Sequence, residues 1–154
     1  MTGRIRSLLA LPAAALLFGG AAPVPPAAAG GSISITVTDL RNDHGVVRAC
    51  MTNREDRFPQ CRGVTQAYSA QVDAKSGQVA VRFDGVRPGR YAIALLHDEN
   101  DNGKADRALG MMPKEGFGFS RDAPVRMGPP RFEEAAFDMG KGDRALQIRM
   151  RYML

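Results

Sequence analysis

The run Gln78-Val79-Ala80-Val81-Arg82-Phe83-Asp84-Gly85-Val86-Arg87-Pro88-Gly89-Arg90-Tyr91-Ala92-Ile93-Ala94-Leu95 decides the fold class. Val79, Val81 and Phe83 alternate with Gln78, Ala80 and Arg82. After the Arg87-Pro88-Gly89 turn, Tyr91, Ile93 and Leu95 alternate with Ala92 and Ala94. A strand sends successive side chains to opposite faces, so bulky apolar residues at every second position mark a half-buried strand.

The same rhythm extends in both directions. Ile33, Ile35 and Val37 alternate with Ser32, Ser34, Thr36 and Thr38, and Val47, Ala49 and Met51 with Arg48 and Cys50. Leu146, Ile148, Met150 and Tyr152 alternate with Gln147, Arg149 and Arg151. Phe132 to Met139 is a weaker candidate strand, and Val64 to Val72 is ambiguous. Turn residues fall between the runs at Asp43-His44-Gly45, Ser76-Gly77 and Gly140-Lys141-Gly142-Asp143. No segment of ten or more residues carries a helical stripe. The prediction is an all-β fold, a β-sandwich of about seven strands, with a small barrel as the alternative.

From Asp98 to Arg131 the strand rhythm stops. Connections this long are uncommon unless they are functional or disordered. The Gly, Phe, Met and Pro content of 98–131 predicts an ordered loop packed on the domain. A functional site belongs there.

A chain of 154 residues is one domain's worth. Arg4 and Arg6, the apolar run from Leu8 to Phe18 and the final Ala27-Ala28-Ala29 have the layout of a signal peptide over residues 1–29. The run is too short for a spanning helix, which needs roughly 20 residues. The expectation is one exported domain, 30–154, in the periplasm or secreted. Removing Arg4 and Arg6 leaves 19 basic against 16 acidic residues. That balance, without a basic cluster among aromatics, does not support nucleic-acid binding. Cys50 and Cys61 fit an oxidising compartment and predict a structural disulfide on the outward face of the second strand. Two free thiols and a redox pair are the alternatives.

The sharpest motif is His97-Asp98-Glu99-Asn100-Asp101-Asn102-Gly103-Lys104-Ala105-Asp106. Asp98, Asn100 and Asn102 hold positions 1, 3 and 5 of a calcium loop, Gly103 position 6 and Asp106 position 9. Lys104 would add its backbone carbonyl. Alternate side chains converge on one ion, and glycine permits the sharp turn. Leu109 at position 12 replaces the bidentate glutamate, so this is not an EF-hand. Glu115 and Asp122 are candidates to complete the shell. Expected calcium affinity is weak, roughly 0.1 to 1 mM. The competing reading is a polar Asx-rich turn held by side chain to backbone hydrogen bonds.

His97 shares parity with Tyr91, Ile93 and Leu95 and is expected to tuck inward, whereas His44 lies in a turn. Enzyme templates fit poorly: H-E-x-x-H, G-x-S-x-G and G-x-x-x-x-G-K are absent. A His97–Ser120 pair oriented by Asp122 or Glu115 can be drawn, all within one loop. Phe117, Phe119, Met111 and Met112 either line a small-molecule pocket or fill the core. Arg149 and Arg151 face an anionic surface or serve as an ordinary solvated edge.

The chain resembles the bacterial domain-of-unknown-function 2141 family of exported proteins. The resemblance rests on Pro88-Gly89-Arg90-Tyr91-Ala92, on His97-Asp98-Glu99-Asn100 with Asn102-Gly103 and Asp106, and on Met112 to Ser120 and Pro130 to Phe137. It implies a prealbumin-like or immunoglobulin-like sandwich with no catalytic residues to carry over. The D-x-N-x-N-G-x-x-D loop is similar to calcium-binding β-sandwich repeats on bacterial surfaces, an analogy that supports calcium. The expected function is a non-catalytic binding or structural module of the cell envelope with a calcium-stabilised loop. Its partner would be an envelope protein or a small ligand. The alternative is a small periplasmic hydrolase using His97 and loop carboxylates.

Overall fold

The computed structural model describes residues 30–108 and 112–154. The predicted signal segment 1–29, Leu109 and Met111 lie outside the described residues. The strands are β1 (Gly31–Leu40), β2 (Val46–Thr52), β3 (Tyr68–Asp73), β4 (Gly77–Val86), β5 (Gly89–Asp98), β6 (Arg107–Ala108) and β7 (Met112–Pro113). They continue with β8 (Gly116–Phe119), β9 (Phe137–Met139) and β10 (Arg144–Arg149). A 3-10 turn (Ser120–Asp122) follows β8, and a four-residue helix α1 (Phe132–Ala135) precedes β9.

One sheet has the order β10-β1-β4, with β1 parallel to β10 and antiparallel to β4. The other has the order β3-β2-β5-β8 and is antiparallel throughout, with β9 pairing the first residues of β5. Ile33, Ile35, Val37, Val81, Phe83 and Ile148 of the first sheet meet Val47, Ala49, Met51, Tyr91, Ile93 and Leu95 of the second. Those are the inward positions that the period-two pattern assigned. Full burial of each large apolar side chain contributes about 1.5–3 kcal/mol. The sandwich is stitched along one side, where Phe117 and Arg151 exchange backbone hydrogen bonds of 2.9 and 2.8 Å. This stitch is its barrel-like feature.

The expected seven strands become ten because the 98–131 loop holds β6, β7 and β8. In β8 the alternate positions are Gly116 and Gly118. A Cβ on Gly116 would stand 2.3 Å from the Tyr152 ring, and one on Gly118 2.9 Å from the Arg149 carbonyl oxygen. The inward face of β8 is therefore bare backbone against the end of the last strand, and an apolar alternation has nothing to show.

Phe132–Met139 is also corrected. Phe132 and Ala135 lie three apart and turn together as α1, while Phe137 and Met139 lie two apart and form β9. The α1 residues join Ala92, Phe119, Ala123 and Ala136 in a second apolar cluster on the outer face of the five-stranded sheet. Phe117 and Phe119 therefore fill a core rather than line a small-molecule pocket, and Met112 is exposed.

The Cys50–Cys61 disulfide forms on that same outer face, with Cys50 opposite Ala94. The loop it closes delivers Phe58 edge-on to Phe119 and Phe132, with ring centroids 5.9 and 6.0 Å away. Replacing both cysteines with serine is expected to lower stability by roughly 3 kcal/mol through lost loop closure. Urea unfolding beside the parent checks it. Coincident midpoints would remove the bridge from the stability account.

Candidate functional site

Strand β5 aims two titratable residues in opposite directions at its end. His97 continues the inward parity and is fully buried between Val47 of β2 and Gly116 of β8. Its Nε2 lies 2.8 Å from the His44 carbonyl oxygen, which only accepts, so Nε2 carries the hydrogen. Its Nδ1, 2.6 Å from Tyr152 Oη, then accepts from the hydroxyl. The Arg41 backbone N–H donates to the same Oη at 3.2 Å. Burial pushes the Tyr152 hydroxyl pKa up. His97 thus ties the turn before β2 to the segment after β10.

Ser120 is buried too, accepting the Ile93 N–H at 2.9 Å and donating to the Ala135 carbonyl at 2.6 Å. Ile93 is four residues from His97 along β5, about 13 Å. The pair drawn from the sequence is not brought together. Asp122 goes elsewhere, accepting the Arg149 N–H at 3.1 Å and lying 3.9 Å from Arg151.

Asp98 faces outward from β5 yet has no exposed surface. Its Oδ1 accepts the Asn102 N–H at 3.0 Å. Its Oδ2 accepts the Gly103 N–H at 2.8 Å and Arg48 Nε at 2.7 Å. Burial lifts the Asp98 carboxyl pKa, but Arg48 and the two backbone N–H groups outweigh it and hold it below the usual carboxylate range. Positive φ values at Asp101 (53°) and Gly103 (75°) make the tight turn that presents those N–H groups. Arg48 reaches on to Asp101 at 2.5 Å.

The rest of the loop closes on Asp106. Asn100 Oδ1 accepts the Asn102 N–H at 3.2 Å, and Asn102 Oδ1 accepts the Lys104 N–H at 2.8 Å. Both amide Nδ2 groups donate to Asp106 Oδ2, at 2.8 and 3.0 Å. Glu115, buried beneath, accepts the Glu99 N–H at 3.2 Å and the Asp106 N–H at 3.0 Å. Burial raises its pKa, and the negative charges of Asp98 and Asp106 add to the rise. Glu99, by contrast, is lowered to about 2 by its hydrogen-bonded pairing with Arg41, helped by Asn42.

Asp98, Asn100, Asn102 and Asp106 therefore share one loop, joined by Glu115. Lys104 is exposed and enters through its N–H. Among the described residues, no three His, Cys, Asp or Glu side chains form a metal-holding group on their own. Besides Arg41 and Asn42 on Glu99, two participants next to Asp98 were missed by the sequence reading. Arg48 is outward on β2, and its signal is the register that sets Val46 opposite Asp98. Gly45, read only as a turn residue, lies against the Asp98 carbonyl.

The arrangement is a charged, self-bonded loop without a nucleophile–base pair. Fold and loop together define an all-β sandwich domain with an acidic, Asx-rich loop at the end of β5 and a small β6–β7 ladder beyond it. Residues 35–147 match the family model described as an uncharacterized protein conserved in bacteria, DUF2141, and the chain belongs to that family. No curated protein and no solved structure matches it. No helix among the described residues is long and apolar enough to cross a membrane.

Proposed function

We propose that the chain is a non-catalytic binding or structural module of the bacterial cell envelope whose 98–106 loop takes up calcium. The observation that carries this reading is the repulsion of Glu115 by the negative charges of Asp98 and Asp106, in one loop whose Asn100 and Asn102 amides close on Asp106. Arg48 and Arg41 offset part of that negative charge from the loop's edges. A hard divalent cation favours six to eight oxygen ligands and would offset the rest. Export is supported by the layout of residues 1–29 and by the Cys50–Cys61 bridge. His97, which the hydrolase alternative uses with loop carboxylates, is buried in structural hydrogen bonds, as is Ser120. The partner is an envelope protein or a small ligand.

Melting the protein in millimolar calcium and again in chelator tests the metal. Calcium at ten times its dissociation constant stabilises by about 1.4 kcal/mol, a rise of about 3–8 °C in melting temperature. Magnesium is expected to do less, and the Asn100→Ala/Asn102→Ala double variant to lose the shift. Identical melting in calcium and chelator would take the ion out of the proposal.

A further inference from the structure

The far end of β5 carries a different cluster. Arg90 lies eight residues from Asp98 on that strand, about 26 Å away. There Arg90, Arg121 and Arg144 line an open depression of about 510 Å³ together with Ala136, Phe137 and Asp138. The three arginines come from β5, the 3-10 turn and β10, and one short segment anchors all of them. Arg121 Nη1 donates to the Glu133 and Ala136 carbonyls at 3.4 and 3.3 Å. Arg144 Nη1 donates to the Asp138 carbonyl, and its guanidinium carbon sits 5.2 Å from the centroid of the Phe137 ring. Arg90 pairs through both Nη groups with the Glu133 carboxylate, at 3.3 and 2.6 Å.

These anchors leave a specific edge open. Among the described residues, Nε and Nη2 of Arg121 and of Arg144 have no hydrogen-bond partner. That Nε–Nη2 edge is a fork that meets a carboxylate or phosphate with two parallel hydrogen bonds. Because the carbonyl anchors already restrict both side chains, less freedom is lost on binding. Arg90 is balanced by Glu133, so the remaining lining charge is two cations against Asp138. Arg121 holds φ at 59°, in the region a non-glycine residue seldom adopts.

We infer that this depression binds an oxyanion, a phosphate or carboxylate group of a small ligand, on the open forks of Arg121 and Arg144. It is independent of the calcium loop. Titration calorimetry with inorganic phosphate and with citrate, at low ionic strength, tests it and tells the two sources apart. Saturable binding of either is expected, and the tighter one names the class. Arg144→Gln is expected to weaken it about tenfold, a charge-assisted pair being lost, and Arg121→Gln/Arg144→Gln more so. Asp138→Asn is expected to tighten it. Arg82→Gln, at an arginine paired with Asp84 on β4 and outside the lining of the depression, is expected to leave it unchanged. No saturation with either anion, equal affinity in Arg144→Gln and parent, or an equal loss in Arg82→Gln overturns the inference.

Discussion

Gly45→Ala is expected to destabilise the domain by about 3 kcal/mol, the sum of left-handed backbone strain and forced overpacking. Gly45 has φ of 64°, and a Cβ built there would lie 2.0 Å from the Asp98 carbonyl oxygen and 2.7 Å from the Glu99 carbonyl carbon. Both obstacles are backbone, so no side chain can swing aside. Retreat would disturb the Gly45 carbonyl, which accepts the Ala74 N–H at 3.1 Å, and the His44 carbonyl that holds His97. Gly63→Ala supplies the comparison. Its φ is 70°, but nothing lies within 4 Å of the added methyl, so only the backbone term of about 1 kcal/mol remains. Urea midpoints of the two variants check the difference. Equal losses would mean that the turn and the loop do not touch as described.

Asp98→Ala should cost nearly as much, about 3 kcal/mol, and this too reads out in urea. The substitution strands the Gly103 N–H and takes from Arg48 Nε its fully buried partner, while the Asn102 N–H keeps only its longer bond to Asn100 Oδ1. Removing one partner of a hydrogen-bonded charge cluster leaves the others desolvated and unpaired, which outweighs the modest net worth of the bonds. Arg48→Gln should lose less, because its side chain is 34 % exposed and water can replace it. The double variant should fall short of the sum, since both substitutions break one contact. A loss in Asp98→Ala no larger than in Arg48→Gln would deny Asp98 its place as the hub.

These two sites also show where reading a sequence stops. The strands β1, β2, β4, β5 and β10 were legible because bulky residues recur at every second position, as in Ile33-Ser34-Ile35-Thr36-Val37. The inward place of His97 followed from the same parity. The loop from Asp98 was legible because alternating Asp and Asn before a glycine bond their own backbone in a turn. Strand β8 was hidden because Gly116 and Gly118 make room for Tyr152 and Arg149, residues distant in sequence. Helix α1 is a single turn, too short for a stripe. The Arg48–Asp98 contact spans fifty positions and exists only once β2 and β5 are in register. Local pattern carries no information on such a pairing.

The parallel β1–β10 ladder sets an order of assembly. Ile33 lies beside Arg144, a contact across most of the described chain. Contacts so distant in sequence are slow to find, because the intervening chain must be closed before they reward it. Until β10 arrives, one long edge of β1 has open backbone donors and acceptors beside Ile33, Ile35 and Val37. An unpaired apolar edge of that kind invites pairing with another molecule. The vulnerable species for aggregation is therefore the half-built three-stranded sheet, not the finished domain.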